Sequence, residues 1–228
     1  MLMNSINMIL ATLVALLPIA NPFSTAAVFL GITANDTEQE RRSQAMRACF
    51  YMLLILVAFL IAGTMIMEFF GISIPGLRIA GGIMIVLIAM GMLRPAEEPD
   101  ISDEEKRAAR KKSDVSFTPL AMPSLSGPGA IAVTIGLASE SENWVDYVSI
   151  MIGITLVTVI CLMALFASTK VVKFLGVNGM NAMTRIMGFL LLCVGIQFIV
   201  NGIVGIVAEE TFLENLLRAY HRAAASVG

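Results

Sequence analysis

The sequence predicts an all-α membrane protein of six transmembrane helices, built as two inverted three-span repeats in which spans one and four are broken at proline. Three observations carry that expectation. The first is composition. Of 228 residues, 57% are hydrophobic and only 14% are charged, against roughly 25% charged in soluble domains, and the mean hydropathy is +0.85. The second is a proline-broken apolar segment that occurs twice, as ALLPIANPFSTAAV from Ala15 to Val28 and as PLAMPSLSGPGAIAV from Pro119 to Val133. The third is where the basic residues fall between the apolar runs.

A bilayer crossing takes about 20 mostly apolar residues. Six runs qualify: Met8–Gly31, Ala48–Met67, Ile74–Leu93, Phe117–Ala138, Tyr147–Thr169 and Ile186–Ala208. Span one continues past its prolines, and the preceding MLMNSINM has no Lys or Arg, so it is expected to remain as a span rather than act as a cleaved signal. Span two carries no charge, and span three carries Arg78 near its start. Six spans put the Thr33–Arg47 connection, the stretch from Arg94 to Phe117 and the connection after span five on one side. Those segments hold eleven of the fifteen Lys and Arg residues. The positive-inside rule makes that side cytoplasmic and places both termini outside the cytoplasm.

The chain divides into a first repeat over 1–94, a charged cytoplasmic linker over 95–116, a second repeat over 117–208 and an amphipathic extracytoplasmic tail over 209–228. The halves match at Pro18 and Pro123, at Ala27-Val28 and Ala132-Val133, at FFGI and FLGV (Phe69 and Phe174 onward), and at Arg78 and Arg185. Three spans per half is an odd number, so the second half must be inverted relative to the first. Glu68 stands where the second half has Lys173, an acid on the expected outer side against a base on the inner. Inverted repeats with interrupted helices are characteristic of secondary transporters, whose substrates bind near the midplane.

Proline removes a backbone donor and clashes with the turn before it. In a bilayer the carbonyls so freed are tolerated only against protein or a wet cavity. The half-helices that follow Pro22 and Pro128 present free N–H groups and a positive dipole end, suited to a carboxylate or another small anion. Asn21, Pro22, Ser24, Thr25, Ser124, Ser126, Gly127, Pro128 and Gly129 are therefore the expected substrate-binding residues, with the small side chains equally suited to tight helix crossing. Arg78 and Arg185 are candidates for a gate or anion contact, or for interfacial anchors whose heads reach the headgroups. Gln197 and Asn201, four apart on one helix face, either line the path or glue helices.

The sequence also argues against several classes. Cys49, Cys161 and Cys193 lie in apolar runs without CxxC spacing, and His221 is the one histidine, so no metal site, cofactor or catalytic dyad is expected. No Asp or Glu stands near the middle of a span. The charges give no nucleic-acid signature. The expected partners are a small-molecule substrate and membrane lipid, with a homo-oligomer left open.

The runs LLPIANPFSTAAVFLG, FGISIPGLRIAGG, FTPLAMPSLSGPGAIA and RIMGFLLLCVGIQFIVNGI, in that order, resemble the MarC family of bacterial inner-membrane proteins. The resemblance implies six spans and a bacterial inner-membrane location. It also implies a carrier, because some relatives are regarded as transporters of small neutral amino acids such as glycine and alanine, and the wider grouping resembles exporters. The expected function is thus secondary transport, with export open, of small neutral amino acids or similar polar metabolites. Two alternatives stand beside it: a lipid-phosphate or other anion translocase using Arg78 and Arg185, and a non-transporting membrane interaction protein that docks a partner through its linker.

Overall fold

The computed structural model describes residues 2–94, 116–141 and 143–208. The linker, apart from Ser116, and the tail lie outside the described residues, as do the side chains of Leu2, Asn4, Pro119, Pro123, Ser124 and Val177. Everything described is helix or short connection. The elements are α1 (Leu2–Ala20), α2 (Pro22–Ile32), α3 (Glu38–Phe69), α4 (Ile74–Leu93), the π-type segment α5 (Ser116–Leu125), α6 (Pro128–Ser139), α7 (Trp144–Phe166) and α8 (Ser168–Ala208).

Among the described residues, five stretches are long and apolar enough to cross a bilayer: Ser5–Ile32, Glu38–Phe69, Ile74–Leu93, Trp144–Phe166 and Asn178–Ala208. The sixth expected crossing is divided between α5 and the 12-residue α6. Large apolar side chains such as Phe50, Leu54, Ile61, Leu87 and Ile203 are exposed on the outside of the bundle. That is the arrangement of a protein whose surrounding solvent is hydrocarbon.

The chain chemistry explains each interruption. Between α1 and α2, Asn21 adopts the left-handed conformation at φ 37 and ψ 70, which Asn tolerates better than other side chains with a Cβ. Pro22 then occupies the first turn of α2, where its missing N–H costs nothing. Asn21 Oδ1 accepts from the Ser24 N–H at 3.3 Å. In the second half, Thr118 and Met122 are extended, at φ −127, ψ 122 and φ −130, ψ 123. Both precede a proline, whose Cδ excludes the helical region for the residue before it. Gly127, ahead of Pro128, is extended for the same reason.

Gly71 and Gly176, paired by the repeat alignment, are the two glycines with positive φ among the described residues, at 65 and 62. Gly71 separates α3 from α4, and Gly176 breaks α8. Only a residue without a Cβ takes that conformation at no steric cost.

α6 sits at the centre. Ala130, Ala132, Val133, Thr134, Ile135, Gly136, Leu137 and Ala138 are all buried, and the helix packs on α3, α4 and α1. The most extensive helix pairing is α4 with α8, and it is antiparallel: Pro75 faces Gly202 and Gly205, Gly82 faces Gly195, and Met92 faces Gly188. A Cβ on Gly82 would come within 2.7 Å of the Gly195 carbonyl oxygen. Close backbone approach over small residues is how helices associate where no hydrophobic effect drives them together.

Candidate functional site

The two proline breaks meet inside the bundle. α1 and α2 pack on α5, and α1 on α6; a Cβ placed on Gly129, just after the second break, would stand 3.9 Å from Ile19 of the first. Asn21, Pro22, Thr25, Ser126, Gly127 and Gly129 are buried, Ser24 is half-buried and Pro128 is exposed.

The hydroxyls at both breaks point back to the chain. Thr25 Oγ1 donates to the Ala20 carbonyl at 2.9 Å, five residues earlier. Ser126 Oγ donates to the Ala121 carbonyl at 2.8 Å, again five residues earlier. The Ala20 carbonyl has lost its helical partner, since the Ser24 N–H turns to Asn21 Oδ1, and the Thr25 hydroxyl satisfies it where an unpaired group would be costly. The Ala121 carbonyl also accepts the Ser126 N–H at 2.9 Å, so the Ser126 hydroxyl is its second donor. The sequence pointed to Thr25 and Ser126 as lining residues. Their position in this conformation is that of internal caps: each can still accept from a solute through its oxygen, but donating to one would require it to exchange its carbonyl partner.

The remaining candidates divide. Arg78, Gln197 and Asn201 come together, whereas Arg185 stands apart and exposed on α8. Arg78, on the first turns of α4, donates through Nη2 to Glu140 Oε1 at 2.8 Å and to Ser139 Oγ at 3.4 Å, both at the end of α6. Its side chain is 17% exposed and that of Glu140 49%. Gln197 Nε2 donates to Asn201 Oδ1 at 2.7 Å along α8. These groups line a pocket of about 280 Å³ whose apolar walls include Ala15, Val14, Leu137 and Phe198. Its lining comes from α1 and α4 on one side of the linker and from α6 and α8 on the other.

Glu140 was not legible as a site residue. The first acid beyond span four reads as part of a solvated loop, and its contact with Arg78 spans 62 residues of sequence. The available signal was positional: in a six-span layout the start of span three and the end of span four lie at the same end of the bundle.

At the opposite end, a cavity of about 650 Å³ is lined in part by Arg41, Arg42, Lys170 and Thr169. Two of its cations are already engaged. Arg41 donates to the Thr33 carbonyl at 3.0 Å and the Ala34 carbonyl at 3.4 Å, and Arg42 pairs with Glu38 at 3.0 Å. Among the described residues no cluster of three or more His, Cys, Asp or Glu is placed to hold a metal ion.

Fold, composition and apolar surface define a multi-pass helical integral membrane protein. Residues 6–207 match the family described as MarC family integral membrane protein. The chain is 42% identical over 206 residues to the inner membrane protein MarC of Escherichia coli strain SMS-3-5, covering 86% of this chain and 93% of that one. The identity and coverage are the same for the protein of that name from Salmonella paratyphi A. The chain therefore belongs to the MarC family and is a multi-pass inner-membrane protein. No solved structure matches it.

Proposed function

We propose that the protein is a secondary transporter, with export open as its direction, for small neutral amino acids or similar small polar metabolites. Two inverted halves rock about a central site where the broken helices meet. The observation that carries this reading is that the elements flanking the two breaks pack on one another within the bundle, α1 against α5 and α6 and α2 against α5. Irregular backbone at membrane depth is a feature of transporter sites, where half-helix ends and freed carbonyls replace a solute's water. The antiparallel course of α4 and α8 and the shared positive φ of Gly71 and Gly176 support treating the halves as inverted copies. The charge asymmetry supports termini on the extracytoplasmic side, which puts Arg78 and Glu140 at the outer end.

The test is counterflow in proteoliposomes: protein reconstituted with unlabelled alanine inside, followed by entry of radiolabelled glycine, alanine and threonine. Accumulation well above protein-free vesicles is expected for at least one of them. Monodisperse, folded protein that moves none contradicts the amino-acid reading. Accumulation of an anionic lipid phosphate instead would establish the translocase alternative.

A further inference from the structure

We infer that the pocket between α1, α4, α6 and α8 is a recognition site for a small zwitterion, with Arg78 holding the carboxylate and Glu140 the ammonium. This assignment rests on the proposed transport function and gives it named residues at the outer end, separate from the proline breaks.

Four features point to it. First, the pocket presents opposite charges side by side, with Arg78 Nη2 and Glu140 Oε1 at 2.8 Å. That single ion pair engages one guanidinium nitrogen and one carboxylate oxygen. The guanidinium has five N–H donors and the carboxylate about four acceptor positions, so both retain capacity for a ligand that bridges them. A planar guanidinium takes a carboxylate in a two-bond fork.

Second, the amide pair extends the same pattern. Gln197 and Asn201 bond to each other once, and whichever way each amide is turned, the pair keeps one carbonyl oxygen and one NH₂ group free to face a solute. Gln197 is exposed on a helix that crosses the membrane. Bare amides against hydrocarbon are costly, whereas amides at a wet or occupied pocket are not.

Third, the size is selective. About 280 Å³ stands just below the roughly 300–1,000 Å³ typical of ligand sites, and Phe198 lines one wall. A Cβ added to Gly136 would come within 3.2 Å of the Phe198 ring, so this wall has no slack. Fourth, the charges come from different halves, Arg78 before the linker and Glu140 after it. A solute held between them senses the relation of one half to the other, as a rocking carrier requires.

The experiment is equilibrium binding of radiolabelled alanine to the full-length protein in detergent, with alaninamide and N-acetylalanine as competitors. Alaninamide lacks the carboxylate and N-acetylalanine lacks the ammonium. Each is expected to compete about tenfold or more weakly than alanine, and Arg78→Lys and Glu140→Gln to weaken alanine binding by a similar factor, as loss of a charged hydrogen bond does. Gly136→Ala leaves the ion pair intact and is expected to reduce affinity for threonine more than for glycine. It also serves as the test if the charge variants fail to fold. Competition by N-acetylalanine equal to that by alanine overturns the zwitterion assignment. Unchanged affinity in the folded variants, with alanine counterflow intact, overturns the pocket and leaves the transport function standing. A wild type that neither binds nor moves alanine overturns both.

Discussion

Single residues show how polar groups are made tolerable in this bundle. The Thr25 and Ser126 hydroxyls donate to carbonyls at the breaks, and Asn21 caps α2. Their types and positions were legible in the sequence as an opening. Their partners were not, because a hydroxyl beside a proline bonds equally well to its own chain or to a ligand. At the polar end of α3, in the connection ahead of the membrane, Thr37 and Glu40 form a reciprocal capping box. The Thr37 N–H donates to Glu40 Oε2 at 2.8 Å and the Thr37 hydroxyl to the same oxygen at 2.7 Å. The backbone bond first, and the hydroxyl second, hold the Glu40 carboxyl below the usual carboxylate range. A lowered folded-state pKa contributes stability that is present above the ordinary carboxylate pKa and lost as pH falls through the lowered one. Hydrogen exchange at the first amides of α3 should therefore show protection at neutral pH that declines across that acid window. Glu40→Gln, which removes the titrating carboxyl, should remove the pH-dependent part, and an unchanged profile would show that the box does not hold this helix start.

At the scale of elements, the sequence located the crossings well and their ends less well. Spans two, three and five were legible from uninterrupted apolar length, and span one from an apolar run that continues past its prolines. α3 begins at Glu38, ahead of the expected span at Ala48, because a capped polar turn extends a helix beyond the bilayer without changing its apolar stretch. Span four divides into α5 and α6, since each residue ahead of a proline is driven out of the helical region. Nothing in hydropathy foretold that α6 would be the buried centre. Its small side chains allow it: Gly81 of α4 faces Ala132 and Gly63 of α3 faces Ile135. The seam of α4 and α8 is the most extensive of these crossings. Gly82→Val should destabilise the protein by about 1–3 kcal/mol, the usual cost of overpacking, because its side chain would meet the backbone of Gly195 and the side chain of Ile199. Gly91→Val, at a position with nothing within 4 Å, is the matched control. Thermal unfolding in detergent compares them, and equal midpoints would show that the seam has room to relax.

For the whole molecule, a hydrophobic chain with two interrupted helices resolves into a bundle whose breaks meet inside it and whose charged pocket joins residues from both sides of the linker. The class of protein was legible from composition and motif order. The pocket was not, because Arg78 and Glu140 are brought together only by the packing of α4 against α6. The central claim is that the breaks form the central site of a carrier, opened to one side and then the other, and site-directed labelling tests it most directly. Thr25→Cys and Ser126→Cys, each in a background with Cys193→Ser to remove the exposed native thiol, are probed with a membrane-impermeant maleimide from either side of oriented vesicles, with and without alanine. Both positions are buried here. The account predicts that alanine changes the labelling rate at both, with reactivity gained from one side as it is lost from the other. Cysteines that stay unreactive from both sides, with alanine present or absent, in protein that still folds would contradict it and leave the breaks as packing features.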